Sequence, residues 1–267
     1  MDDPLDSDQI RLDGRVGVVT GAARGIGRAT AVAFARFGMD VAVCDRDEAG
    51  LGTLRAELER IGAGVVAETL DVRDLDAVDA FAALVAERFG GVDAVVNNAG
   101  GTFRADFLAG RPKGDRALVD ENFLSVVNVT RAFVPLMAGR SGAVVNVTST
   151  EAFQAAPGFA VYAAMKAGQE SLTKTLALEL GQLGIRVNSV SPDGIHTTGD
   201  DALGAEVLND PTFVVPPVPP LGFYAGPEQC ASVIVFLVGD MARFVTGCAV
   251  HVDGGLHAAG GWHRAPA

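Results

Sequence analysis

The chain has 267 residues, of which 49% are apolar, enough to bury the core of one soluble domain. Its formal net charge of −12 repels nucleic-acid phosphates, so DNA and RNA are excluded as partners. Three scattered cysteines, Cys44, Cys230 and Cys248, lack a Cys-x-x-Cys pair, and His196, His251, His257 and His263 are too widely spread for a zinc spacing, so neither disulfides nor a metal are expected.

Residues 1–12 begin acidic, without the basic and apolar regions of a secretory signal, and read as a flexible arm ahead of a single domain over 13–267. Apolar, mostly β-branched runs predict strands at 15–20, 41–45, 64–69, 93–97, 143–149, 185–191 and 248–252. Amphipathic stretches lie between them: Leu51, Leu54, Leu58 and Ile61 share one helical face, as do Leu75, Val78, Leu84 and Val85. Alternating strand and helix specify an α/β fold, a parallel sheet wound on both sides, seven strands wide. No run is long enough to cross a bilayer, the longest near the end being Ala231 to Val238, and the cytoplasm is the expected location.

The first strand breaks into Gly21, Arg24, Gly25, Ile26 and Gly27 and leads into a helix. Such a turn lets backbone amides approach a pyrophosphate, and the helix N-terminus favours the anion. The second strand closes on Asp45, about 20 residues further on, where an acid can hold the 2′-hydroxyl of NAD and repel a 2′-phosphate. Arg24 and Arg46 stand near the same place and are suited to a phosphate, so NAD is the preferred cofactor and NADP the alternative.

Tyr162 and Lys166 stand four apart in a helical stretch, which stacks phenol and ammonium on one face. Lowering a phenol from about 10 to about 7 takes roughly 4 kcal/mol. One positive charge ~4 Å away supplies about that much at an effective dielectric near 20. Alone, the pair also fits an ordinary helix surface. Ser149, at a predicted strand end, converts it into a candidate site for moving a proton at an oxygen.

Taken in order, Thr20-Gly-x-x-x-Gly-Ile-Gly27, Asp71-Val72, Asn97-Asn-Ala-Gly100, Asn122, Ser149, Tyr162-x-x-x-Lys166, Pro192 to Thr197 and Val252-Asp-Gly-Gly255 resemble the short-chain dehydrogenase/reductase family in its short, single-domain form. The resemblance spans nearly the whole chain. It implies a Rossmann-type fold and a hydride exchanged between a nicotinamide cofactor and a secondary alcohol or ketone. By it, Tyr162 is the acid and base, Ser149 binds the reacting oxygen, and Lys166 holds the nicotinamide ribose and acidifies the tyrosine. Asn122 helps to place a relaying water. Asp71 and Val72 would meet adenine, Asn98, Ala99 and Gly100 would pass the adenosine ribose, and Pro192, Ile195 and Thr197 would fix the carboxamide. One departure is Asp193, where the family usually has glycine. Enoyl reductases of the family space tyrosine and lysine more widely. The resemblance also implies a homotetramer.

Residues 198–226 read as a loop over the substrate, with Phe213, Val214, Val215, Val218, Leu221, Phe223 and Tyr224 among prolines 211, 216, 217, 219 and 220. Together with Phe103, Phe107, Phe153 and Phe159 they suggest a hydrophobic substrate, alicyclic, terpenoid or steroid-like. Packing of the loop onto the body or a neighbouring subunit explains the same residues equally well, and Trp262 has no assigned role. The alternatives are an NADP-dependent 3-oxoacyl carrier reductase, which docks an acidic carrier, and a dinucleotide-binding sensor without catalysis.

Overall fold

A computed structural model describes residues 7–197 and 218–260. All seven predicted runs form strands: β1 Val16–Thr20, β2 Asp40–Asp45, β3 Val65–Thr69, β4 Ala94–Asn97, β5 Ala143–Val147, β6 Arg186–Pro192 and β7 Ala249–Val252. They pair in parallel in the order β3-β2-β1-β4-β5-β6-β7. The helices among the described residues are α1 Gly25–Arg36, α2 Glu48–Ile61, α3 Leu75–Phe89, α4 Pro112–Val119, α5 Ser125–Phe133, α6 Ala160–Gly181, α7 Pro227–Val238 and the short α8 Leu256–Ala259.

Local chemistry sets the helix limits. Asp47 and Asp74 cap α2 and α3 by accepting the amides of Gly50 and Ala77, and Gly62 and Gly90 end them in the left-handed conformation. Successive strand residues point to opposite faces, so Val19 joins a core with Phe34, Leu54, Leu58 and Ile234, while Val18 joins another with Phe81, Val85, Phe133 and Ile185. Each fully buried large apolar side chain contributes about 1.5–3 kcal/mol, which is why runs without polar alternation form this sheet.

Most strand limits lie within one residue of the sequence reading, and two boundaries differ in ways that have a physical cause. Leu12 is 0% exposed, its amide donates to the Phe37 carbonyl at 2.8 Å, and Ser7–Ile10 form a 3-10 turn, so the packed body begins before Asp13. The acidic composition concealed this single apolar anchor. The fifth strand stops at Val147 rather than 149, because Ser149 caps the 3-10 turn Thr150–Ala152 that follows it.

From β1 the chain runs outward to β2 and β3 and then crosses to β4 on the other side of β1. That reversal opens a crevice at the carboxyl ends of β1 and β4, the place where α/β sheets take nucleotides. No helix among the described residues is long and apolar enough to cross a membrane.

Candidate active site

The glycine turn after β1 is built against the end of β4. Gly21 has φ +64°, and a Cβ there would lie 2.8 Å from the Cα of Ala99; a Cβ on Gly27 would lie 2.3 Å from the Gly21 carbonyl oxygen. Only glycine permits this approach. The Thr20 hydroxyl accepts the amides of Asn98 and Ala99, and the Asn98 side chain donates to the carbonyls of Thr20 and Gly21. Asn98 thus holds the turn in place. Arg24, the N-cap of α1, is exposed and gives no side-chain cap, so the helix N-terminus keeps its affinity for an anion. A Cβ on Gly25 would sit 3.4 Å from Thr197, which brings the segment after β6 over the turn.

Asp45 reaches the same turn. One carboxylate oxygen accepts the Ala23 amide at 2.9 Å and the other the Asp47 amide at 3.0 Å. A carboxylate has about four acceptor positions, so two amides leave room for ribose hydroxyls. Arg46 pairs with Glu121 at 2.9 Å. Asp71 accepts a two-point bond from Arg73, whose guanidinium holds the carboxyl below its ordinary value, and Val72 is buried beside it.

Asn122 lies in a π turn, Asp120–Leu124, between α4 and α5, a form of helix irregularity often found at functional sites. Its side chain donates to the carbonyls of Gly101 and Leu118 and accepts the Gly101 amide. Its own backbone carbonyl accepts the Gln169 side-chain amide. A Cβ on Gly100 would be 2.9 Å from the Asn122 side-chain oxygen and 3.6 Å from the Lys166 ammonium. Gly100, Asn122 and Lys166 therefore meet at one point.

Tyr162, half-buried, and Lys166, buried, share a face of α6, with the ammonium 5.5 Å from the centre of the phenol ring. Lys166 donates to the Val147 carbonyl at 2.8 Å, which ties it to the end of β5 just before Ser149. Burial pulls Lys166 down to about 8, while the carboxylates of Glu151, Glu121 and Glu170 act in the opposite direction. Ser149 donates to Glu151. Beneath them, Thr148 donates to the buried Glu170 at 2.6 Å, Ser189 donates to the same carboxylate, and Ser191 donates to the Ser149 carbonyl. This network fixes the backbone that presents Ser149.

Pro192 closes β6, and Ile195 bridges to Ala225. Although the family usually has glycine at the place of Asp193, the positive φ in this segment belongs to Gly194, at +60°. Asp193 turns inward, where its carboxylate accepts the Thr150 hydroxyl at 2.7 Å and the Gly194 amide at 2.7 Å. Pro219 and Pro220 pack on Gly254 and Gly255, both at positive φ, so the closing glycine motif seats the end of the 198–226 segment. Val218, Leu221, Phe223 and Tyr224 are exposed. Residues 198–217, with Phe213, Val214 and Val215, and the tail with Trp262, lie outside the described residues. Phe153 packs edge-on against His251, and Phe103 lies against Gly114 of α4.

Glu121, Glu151, Gln169 and Glu170 were not found by sequence reasoning. Glu170 follows Lys166 by one helical step and was open to discovery; Glu121 and Arg46 are 75 residues apart, with no local signal joining them.

A family model described as "Enoyl-(Acyl carrier protein) reductase" matches residues 21–257. The chain belongs to the short-chain dehydrogenase/reductase family. It is 38% identical over 248 residues to a 3-oxoacyl-(acyl-carrier-protein) reductase of Thermotoga maritima, covering 92% of this chain and 99% of that one. It is 35% identical over 250 residues to 3beta-hydroxysteroid dehydrogenase 1 of Eggerthella lenta, covering 92% and 94%. Among solved structures, carveol dehydrogenase from Mycobacterium avium in complex with NAD has a TM-score of 0.86 at 28% identity, covering 91% of this chain and 98% of that one. The chain is an oxidoreductase of this family.

Proposed function

We propose that the protein is an NAD(H)-dependent oxidoreductase that interconverts a secondary alcohol and a ketone. The observation that carries the reading is the Lys166 ammonium, buried under the Tyr162 ring and bonded to the backbone that presents Ser149. The tight glycine turn, the uncapped N-terminus of α1 and Asp45 fit a dinucleotide, which supplies or accepts the hydride when bound.

In reduction, Tyr162 gives its phenolic proton to the substrate oxygen; in oxidation it takes the proton back. With substrate in place the Ser149 hydroxyl turns from Glu151 to donate its one proton to that oxygen and stabilises its developing charge. The Lys166 charge favours the phenolate, and its position beside Gly100 suits contact with the nicotinamide ribose. The Asn122 carbonyl, at the π turn beside Lys166, serves to hold a water on the way out for the proton. Gly21, Gly25, Ile26 and Gly27 receive the pyrophosphate, and Asp71, Val72, Ala99 and Gly100 border the adenosine. Pro192, Ile195 and Thr197 border the carboxamide. The four-residue spacing of Tyr162 and Lys166 supports carbonyl chemistry over enoyl reduction.

Exposed Leu221, Phe223 and Tyr224 support a hydrophobic substrate, alicyclic, terpenoid or steroid-like. The likeness to carveol and hydroxysteroid dehydrogenases agrees with it. A homotetramer is the form that the family resemblance favours. The second reading is an NADP(H)-dependent 3-oxoacyl carrier reductase, favoured by the 38% identical relative and by exposed Arg24. Asp45 and the net charge of −12, which opposes an acidic carrier, weigh against it. A panel of hydrophobic secondary alcohols followed at the NADH absorbance band, with NAD⁺ and NADP⁺ in parallel, tests both. Turnover with NAD⁺ is expected, and activity confined to NADP⁺ and carrier-linked ketones rejects the first reading.

A further inference from the structure

We infer that Glu121 sets cofactor choice by holding Arg46 away from a 2′-phosphate. The inference rests on the dinucleotide reading above and deepens it. Arg46 directly follows Asp45 at the end of β2, where a phosphate on the adenosine ribose would arrive. Its guanidinium is bonded to Glu121 across the crevice. The Glu121 side chain is 19% exposed and that of Arg46 57%, so the carboxylate is the fixed member and the arginine is drawn to it. Glu121 is anchored over the stretch that follows β4: a Cβ on Gly101 would lie 3.5 and 3.6 Å from its two oxygens. The pair therefore joins the wall that carries Asp45 to the wall that carries Asn98 to Gly101.

The next cation is committed as well. Arg73 forms its two-point bond with Asp71, and the charges of Asp120 and Glu121 reinforce its protonated state. A 2′-phosphate brings nearly two negative charges. To gain Arg46 it must displace Glu121, and it then remains beside Asp45, Glu121 and Asp120. A 2′-hydroxyl has no such requirement, since it donates to Asp45.

The test uses the full chain and two probes that need no turnover, 5′-AMP and adenosine 2′,5′-bisphosphate, titrated calorimetrically at low salt. Wild type should prefer 5′-AMP. Glu121→Gln should tighten the bisphosphate by about tenfold, the worth of one released charge-assisted contact, and leave 5′-AMP within about twofold. Adding Arg46→Ala to Glu121→Gln should remove that gain. Arg46→Ala alone should leave the preference of wild type unchanged, which tests the idea even if Glu121→Gln folds poorly. A bisphosphate preference in wild type, a gain that survives Arg46→Ala, or a loss of bisphosphate binding in Arg46→Ala alone each overturns the inference. A wild type that binds neither probe nor NAD⁺ overturns the dinucleotide reading itself and takes the inference with it.

Discussion

The Ser149 hydroxyl donates to the carboxylate of Glu151, two residues along the chain. Burial is the main force drawing Lys166 down to about 8, and Glu151 is the foremost charge opposing it. One carboxylate therefore bonds the group that would bind the reacting oxygen and acts through its charge on the ammonium that would acidify the phenol. Ketone reduction should fall above about pH 8, as Lys166 loses its proton. In Glu151→Gln the opposing charge is gone, so the falling limb should move to lower pH, by up to about one pH unit. A pH profile of kcat with the limb unmoved would separate Glu151 from Lys166.

Removing the phenolic oxygen isolates proton transfer from binding. Tyr162→Phe keeps the ring that covers Lys166 but has no proton to exchange. Turnover should drop by about 10²–10⁴, with NADH affinity measured by fluorescence titration within a few fold of wild type. Ser149→Ala should lose less, about 10²–10³, since it removes one donor to the developing charge. A Tyr162→Phe variant as active as wild type would end the proposed mechanism.

The glycine turn gives a prediction of different character. A methyl group on Gly27 would meet the Gly21 carbonyl at 2.3 Å and the Asn98 amide nitrogen at 2.5 Å, and the first of these neighbours is backbone that cannot yield cheaply. Gly27→Ala should cost about 1–3 kcal/mol of stability through overpacking. Because the displaced backbone is the proposed anion cradle, affinity for 5′-AMP should fall with it. Unchanged melting and unchanged binding would show that the turn tolerates the methyl group.

How much of this was legible depended on the range over which each residue acts. All seven strands were readable, because parallel strands buried on both faces leave long apolar runs, and the glycine turn and Asp45 announced themselves by position. Tyr162 and Lys166 were readable as neighbours because a helix fixes their separation. Leu12 was not, since one apolar residue in an acidic segment makes no period. The Arg46–Glu121 pair was hidden because only the fold brings the end of β2 to the turn before α5. At Asp193 the motif marked the right segment but not the bond: the left-handed position falls on Gly194, and Asp193 bonds Thr150, 43 residues away.

The buried ammonium also leaves a signature in stability. Lys166 has a folded value of about 8 against an ordinary 10.5, so between those pH values the unfolded chain binds a proton that the native state does not. Unfolding free energy rises with pH wherever the unfolded state holds more protons. Below about pH 8 both states are protonated and the full penalty of burying the charge is present; above 10.5 neither is, and the penalty is gone. Lys166→Met has no such group. Measured by urea unfolding without cofactor, the stability of wild type relative to Lys166→Met should therefore improve by on the order of 3 kcal/mol from pH 8 to pH 10.5. A difference that stays flat across this window would mean that the ammonium is solvated in the native state, and the argument that its charge is strong enough to acidify Tyr162 would lose its physical basis.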